Sequence, residues 1–138
     1  MVRWVCPECG REFGNRNQGH LCAPGVPLDE VFEGRPPVQR ELYEAMLEHL
    51  DQFGGVHADA VRVGVFWKTD RKLAEIRPMA RALSVELGLP REIRSPRVTR
   101  VQRASSEKYW HTIRVTEPEQ IDDELLGWLT EAYDYATD

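Results

Sequence analysis

Val61-Arg62-Val63-Gly64-Val65-Phe66-Trp67-Lys68 is where the chain changes period. Val61, Val63 and Val65 alternate with Arg62 and Gly64, the two-residue repeat of a half-buried strand. The stretch before it repeats differently. Across residues 37–53, Val38, Leu42, Met46, Leu50 and Phe53 fall at helical spacing with Tyr43 and Leu47 beside them, while Glu41, Glu44, Glu48 and Asp51 take the opposite face. Pro36-Pro37 suit the first turn of that helix, and Gly54-Gly55 suit its end. Leu28 to Phe32 reads as a short helical turn with Leu28 and Phe32 as anchors.

Beyond residue 68 the alternation continues. Thr69-Asp70-Arg71 turns the chain. Leu73 to Arg77 returns it, with Ala74 and Ile76 on one face and Glu75 and Arg77 on the other. Leu83, Val85 and Leu87 form the next strand, ended by Gly88 and Pro90. Val98–Arg103 and Tyr109–Val115 form a hairpin joined through residues 104–107. Short connections make these strands antiparallel. A last helix carries Ile121, Leu125, Trp128, Ala132 and Tyr135 as its stripe, with Thr116 and Glu119 as a capping box. The expected fold class is α+β: an antiparallel sheet of about five strands packed on two helices, a two-layer arrangement, preceded by a small zinc knuckle. The helices are expected to cover one sheet face. The other is expected to be open, or partly covered by the knuckle.

The knuckle is read from Cys6-Pro7-Glu8-Cys9-Gly10 and His20-Leu21-Cys22, a C-x2-C-x10-H-x-C pattern that uses all 3 cysteines. Structural zinc takes four ligands in a tetrahedron, and three thiolates with one imidazole are a suitable set. The two-residue gap brings Cys6 and Cys9 onto one ion, and Gly10 supplies the positive φ that follows. His20 and Cys22, two apart on an extended segment, share a face. Phe13 is placed to cover the site and Trp4 to flank it. A Cys6–Cys22 or Cys9–Cys22 disulfide is the alternative, disfavoured by the odd cysteine count and the absence of a secretory signal. One structural zinc is therefore expected on Cys6, Cys9, His20 and Cys22. The Ala23-Pro24-Gly25-Val26-Pro27 linker divides a zinc-binding module, residues 1–25, from an α+β domain, residues 26–138.

The 138 residues carry a net charge of −5, unevenly spread: about +1 over residues 1–25, −6 over 26–60, +8 over 61–114 and −8 over 115–138. No apolar run approaches a membrane span, and reduced cysteines without a signal point to the cytoplasm. If Val61, Val63, Val65, Ile76, Ile113 and Val115 face the helices, the open face carries Arg62, Phe66, Lys68, Arg77, Arg100, Trp110 and Arg114. Phe66 and Trp67 then point to opposite faces. Cations interleaved with aromatics suit a nucleic-acid backbone with stacked bases. The same residues also serve as ordinary solvated surface and guard strand edges.

Residues 26–136 resemble a small bacterial family, a domain of unknown function (DUF5655). The resembling pieces are Leu28-Asp29-Glu30-Val31-Phe32, Arg40-Glu41-Leu42-Tyr43, Val65-Phe66-Trp67-Lys68, and the ending from Ile121 to Tyr133. The N-terminal Cys-Pro-x-Cys-Gly module looks like one attached to some of these domains. The resemblance implies no catalytic residues.

No nucleophile elbow, phosphate-cradling loop or His-Glu-x-x-His pattern is present. His111 falls on the apolar side of a strand, His49 at the edge of a helix stripe and His57 in a loop. The leading expectation is a non-enzymatic module that binds an anionic partner, most of all nucleic acid, through Arg62, Lys68, Arg77, Arg100, Trp110 and Arg114. The alternatives are a protein-interaction module with a purely structural zinc, and, behind it, a small enzyme with its site on the open sheet.

Overall fold

The computed structural model describes residues 3–20, 22 and 24–138. Leu21 and Ala23, from the expected ligand pair's segment and the linker, lie outside the described residues. The chain runs β1 (Trp4–Val5), β2 (Glu12–Phe13), α1 (Leu28–Val31), α2 (Pro37–Asp51), β3 (His57–Val61), β4 (Gly64–Lys68), β5 (Lys72–Pro78), β6 (Leu83–Leu89), β7 (Val98–Ser105), β8 (Lys108–Val115) and α3 (Asp123–Ala136). β1 and β2 form a small antiparallel pair. The other six strands make one antiparallel sheet in the order β3-β4-β5-β6-β8-β7. The α+β class holds, with two corrections to the strands. Among the described residues the main sheet has six, not about five. The sheet is also not a simple meander, because β6 pairs with β8 and leaves β7 at the edge.

The strand missing from the sequence reading is β3. Residues 61–65 are not one strand: Val61 ends β3, Arg62 and Val63 make a two-residue turn, and Gly64 opens β4. Two-residue hairpin turns usually announce themselves through glycine or asparagine at positive φ. Neither Arg62 nor Val63 has positive φ, so the turn left no mark. Val63, expected to face the helices, is instead 57% exposed, and Val61, expected on the same side, is buried on the outer face two residues from Asp59.

The helices cover one sheet face. α3 packs on β5 and β6, α2 lies against α3 and β6, and α1 rests on β3 and β4. Val65, Ile76, Val85 and Ile113 stand directly opposite one another across four strands and are fully or almost fully buried. From the helices, Leu42, Tyr43, Met46, Leu50, Leu125, Leu129 and Ala132 close this core. Trp67 is the core aromatic of its pair. Its Nε1–H donates to the buried Tyr43 hydroxyl at 3.1 Å, which satisfies the one polar atom that the ring brings inside. Phe66 points to the other face and is half-buried.

Three details of the helices differ from expectation. Phe53 lies past the end of α2 and is 46% exposed, its ring against Tyr133. Thr116 and Glu119 do not start the last helix. Glu117 and Gln120 form a capping box around a 3-10 turn at Pro118–Gln120, and α3 begins later, capped by Asp122, whose carboxylate accepts the Leu125 N–H at 3.0 Å. Its buried stripe is Leu125, Trp128, Leu129, Ala132 and Ala136, with Ile121 and Tyr135 only partly covered. Among the described residues no helix is long and apolar enough to cross a membrane.

Candidate metal centre and basic sheet face

The N-terminal residues build a knuckle. The Cys6 N–H donates to Arg11 O at 2.9 Å and the Gly10 N–H to Cys6 O at 2.8 Å, closing the turn around the first two cysteines. Gly10 sits at φ 74°, the left-handed conformation expected of it. The ligand atoms of Cys6, Cys9, His20 and Cys22 all lie within 4.8 Å of one another. Cys6 Sγ is 3.8 Å from Cys22 Sγ, and His20 Nε2 is 3.4 Å from Cys9 Sγ and 3.2 Å from Cys22 Sγ. A tetrahedron with metal–sulfur bonds of about 2.3 Å has sulfur–sulfur edges of about 3.8 Å, so the donor set fits one ion. It does not fit a disulfide, and all three cysteines are free.

The imidazole is oriented for the same purpose. His20 Nδ1–H donates to the Gln18 carbonyl at 2.7 Å, which leaves the Nε2 lone pair facing the sulfurs. Phe13 stacks on the His20 ring at 3.9 Å between centroids and Trp4 stands edge-on at 6.1 Å. Without a cation the thiols differ. The Cys9 backbone N–H, more than any other neighbour, draws Cys6 down to about 7, while desolvation and then Cys6 itself push Cys22 up to about 11. A bound metal overrides that order and holds all three as thiolates.

The knuckle lies on the outer face of the sheet, at the β3–β4 end. Asp59 of β3, buried, accepts from Arg11 Nε at 3.0 Å and from Lys68 Nζ at 2.8 Å, and Lys68 also donates to Glu12 O at 3.2 Å. Arg3 donates to the Thr69 carbonyl. Gly14 approaches so closely that a Cβ there would stand 2.5 Å from Asp70 O. The outer face is thus partly covered.

The six residues expected to contact nucleic acid fare differently. Lys68 is buried in its ion pair with Asp59 and offers no surface charge. Arg62 is in the β3–β4 turn and off the sheet face. Arg77 is exposed but bridged to Glu75 at 3.0 Å. Arg100 and Arg114 are exposed on the outer face, and Trp110 is half-buried there. Acids interrupt the basic face: Asp59, Phe66, Glu75, Glu86, Thr112 and Arg100 form one row across all six strands. Burial, and then Glu75 beside it, raise the Glu86 carboxyl above its ordinary range.

Sequence reasoning missed the part played by three residues that the sheet assembles with Trp110. Gly88 is its cross-strand partner, and a Cβ at Gly88 would meet the indole at 2.9 Å, so the missing side chain is the room in which the ring lies. Lys72 Nζ stands 4.5 Å and Lys108 Nζ 4.6 Å from the Trp110 ring centroid. Lys72 is also 5.2 Å from the Phe66 centroid. Desolvation, and then the charges of Lys72 and Arg71, lower the Lys108 pKa. Lys72 and Lys108 each sat one residue outside an expected strand, so only the strand register reveals the cluster.

Fold and site define a small α+β domain with a Cys3His metal-ligand cluster packed on its sheet. The model for a domain of unknown function (DUF5655) matches residues 28–136, and the chain belongs to that family. No curated protein and no solved structure matches it.

Proposed function

We propose that this protein is a zinc-stapled, non-enzymatic binding module whose outer sheet face engages an anionic partner, with single-stranded nucleic acid as the partner class. The carrying observation is the cluster of Lys72, Trp110 and Lys108. Two ammonium groups share one aromatic ring, and the charges that act on Lys108 are cationic. Phosphate relieves that repulsion, and a half-buried indole offers a base a stacking surface. Arg100 and Arg114 extend the positive surface across β7 and β8. Lys68 and Arg62 leave the interface, the first as a structural cation and the second as a turn residue.

Zinc is the proposed ion because three thiolates and one imidazole in a closed tetrahedron are its structural ligand set. Elemental analysis of purified protein is expected to give one zinc per chain, and Cys9→Ser to lose it.

The binding test is fluorescence anisotropy of zinc-loaded protein with labelled single-stranded and duplex DNA and RNA at low and moderate salt. The expected result is a preference for single strands and an affinity that falls steeply with salt. No binding at low salt would sink the reading. A protein-partner reading has its own observation: β7 is an edge strand exposed along nearly its whole length. In that case a partner captured in stoichiometric amount should survive nuclease treatment and be lost when proline is placed in β7.

A further inference from the structure

The knuckle and the sheet do not meet everywhere. Between them a cavity of about 480 Å³ opens to solvent, with Phe13, Gly19 and His20 on the knuckle side and Val63, Phe66 and Lys72 among the residues on the sheet side. That volume lies in the range of about 300–1,000 Å³ typical of small-ligand sites. Two features say what it would hold. Its walls are aromatic: Phe13, backed by His20 at 3.9 Å, faces the cavity from the knuckle, and Phe66 from the sheet. Its charge is spread along the walls: Arg11, Lys68, Lys72 and Arg77 line it with Glu75, and Arg11 and Lys68 stand 5.3 and 5.9 Å from the Phe66 centroid. Lys72 lies within 5.2 Å of the Phe66 centroid and 4.5 Å of the Trp110 centroid, so its ammonium stands between the two rings.

We infer that this cavity receives one unstacked base of a single strand, that Phe66 is its stacking platform, and that Lys72 holds the phosphate linking it to a second base on Trp110. The inference rests on the reading above and adds a specific pocket to it. The spacing suits a strand because one flexible lysine serves two aromatic surfaces, the arrangement of alternating base and phosphate along the polymer. Glu75 also lines the cavity and is bridged to Arg77 at 3.0 Å and to Lys72 at 3.8 Å, so a phosphate on Lys72 takes the place of that carboxylate. The metal then has a second use. Phe13 and His20 belong to the knuckle, so one wall exists only while the ligand cluster holds its shape.

The test uses the full-length, zinc-loaded protein and a labelled single-stranded oligothymidylate at low salt, read by anisotropy. Phe66→Leu removes the ring and keeps an apolar filler. Val63→Glu adds an anion at the exposed mouth, where folding does not depend on the side chain, and Val63→Lys is its charge control. The expected losses are about tenfold for Phe66→Leu, in the range of one lost base stack, and a comparable drop for Val63→Glu. Val63→Lys should bind at least as well as wild type. Should Phe66→Leu misfold, Val63→Glu against Val63→Lys still decides. If both Phe66→Leu and Val63→Glu bind like wild type while Trp110→Leu loses affinity, the sheet face binds but the cavity does not, and the inference is overturned alone. If wild type itself does not bind, the inference falls with the function on which it rests.

Discussion

Asp59 holds two cations under the knuckle, and it is the residue on which the junction turns. Its carboxylate is buried, as are Arg11 and Lys68, its partners at 3.0 and 2.8 Å. Removing one member of a buried ion pair leaves charge in a poor solvent, at a cost of about 3–5 kcal/mol. Asp59→Asn is therefore expected to lower stability by that order in urea denaturation. Adding Lys68→Met should recover part of the loss, since it withdraws a cation that no longer has its carboxylate. His111 carries a second single-residue prediction. It is fully buried, accepts the Ile93 N–H on Nε2 at 2.8 Å, and has its ring against the backbone of Leu87 and Tyr109. Burial, above all, depresses its pKa below the ordinary value. A depressed histidine is neutral in the fold and more easily protonated once unfolded. Its contribution is complete above about pH 6.5, the unfolded value, and is lost as pH falls from there through the folded value. Urea midpoints at pH 7.5 and 5.5 should show this loss. His111→Gln should flatten the slope, leaving His57, which burial also depresses, opposed by Glu86, whose raised carboxyl favours the fold as pH falls.

At the scale of elements, α3 depends on a cap different from the expected one. Asp122 accepts the Leu125 N–H at 3.0 Å and pairs with Arg97 at 2.8 Å, so Asp122→Ala is expected to lower the midpoint of thermal or urea denaturation. Thr116→Ala, which touches only the exposed 3-10 turn, should cost clearly less. The capping-box pattern was there to be read, but Pro118 and Gln120 spend it on the turn before the helix. What was legible in the sequence was whatever repeats locally. The stripes of α2 and α3 and the alternation of β5, β6 and β8 each bury a face, and burial imposes a period. β3 was not legible because Ala58, Asp59 and Ala60 give a strand without a hydrophobic period, and its turn uses no glycine. The metal ligands were legible because their spacing lies within 17 residues of chain. The cation cluster was not, because Lys72, Gly88 and Trp110 come from three strands that only register aligns. Gly88 read as a strand end, yet its role is to leave room. Gly88→Ala is expected to push the Trp110 ring out of its seat and weaken single-strand binding in the anisotropy titration while the sheet stays paired.

For the whole molecule, the question is whether knuckle and domain are one cooperative unit. The main sheet and helices hold a core of their own, in which Val65, Trp67, Ile76, Leu87 and Leu129 are fully buried without help from the knuckle. The knuckle has no comparable core. Its two strands are two residues each, and among the described residues it buries Cys6, Phe13 and Arg11, while Cys22 is exposed. A segment that small cannot offset its ordering entropy without a metal or a partner surface. Its docking on the domain is polar and local: the Arg11–Asp59 pair, the Lys68 bond to Glu12 O, the Arg3 bond to Thr69 O, the His57–Glu12 pair, Lys68 over the Phe13 ring, and the close packing of Gly14 against Asp70. Chelation is therefore expected to release residues 3–20 and leave residues 28–136 folded. Amide exchange should become fast in the first segment and stay slow in β4, β5 and β6, with the far-ultraviolet spectrum largely kept. The domain should lose little stability, because Asp59 and Lys68 keep each other as they become wet and a solvated pair needs no third partner. Cooperative unfolding of the whole chain on chelation would overturn this two-part view and make the metal a core element of the domain.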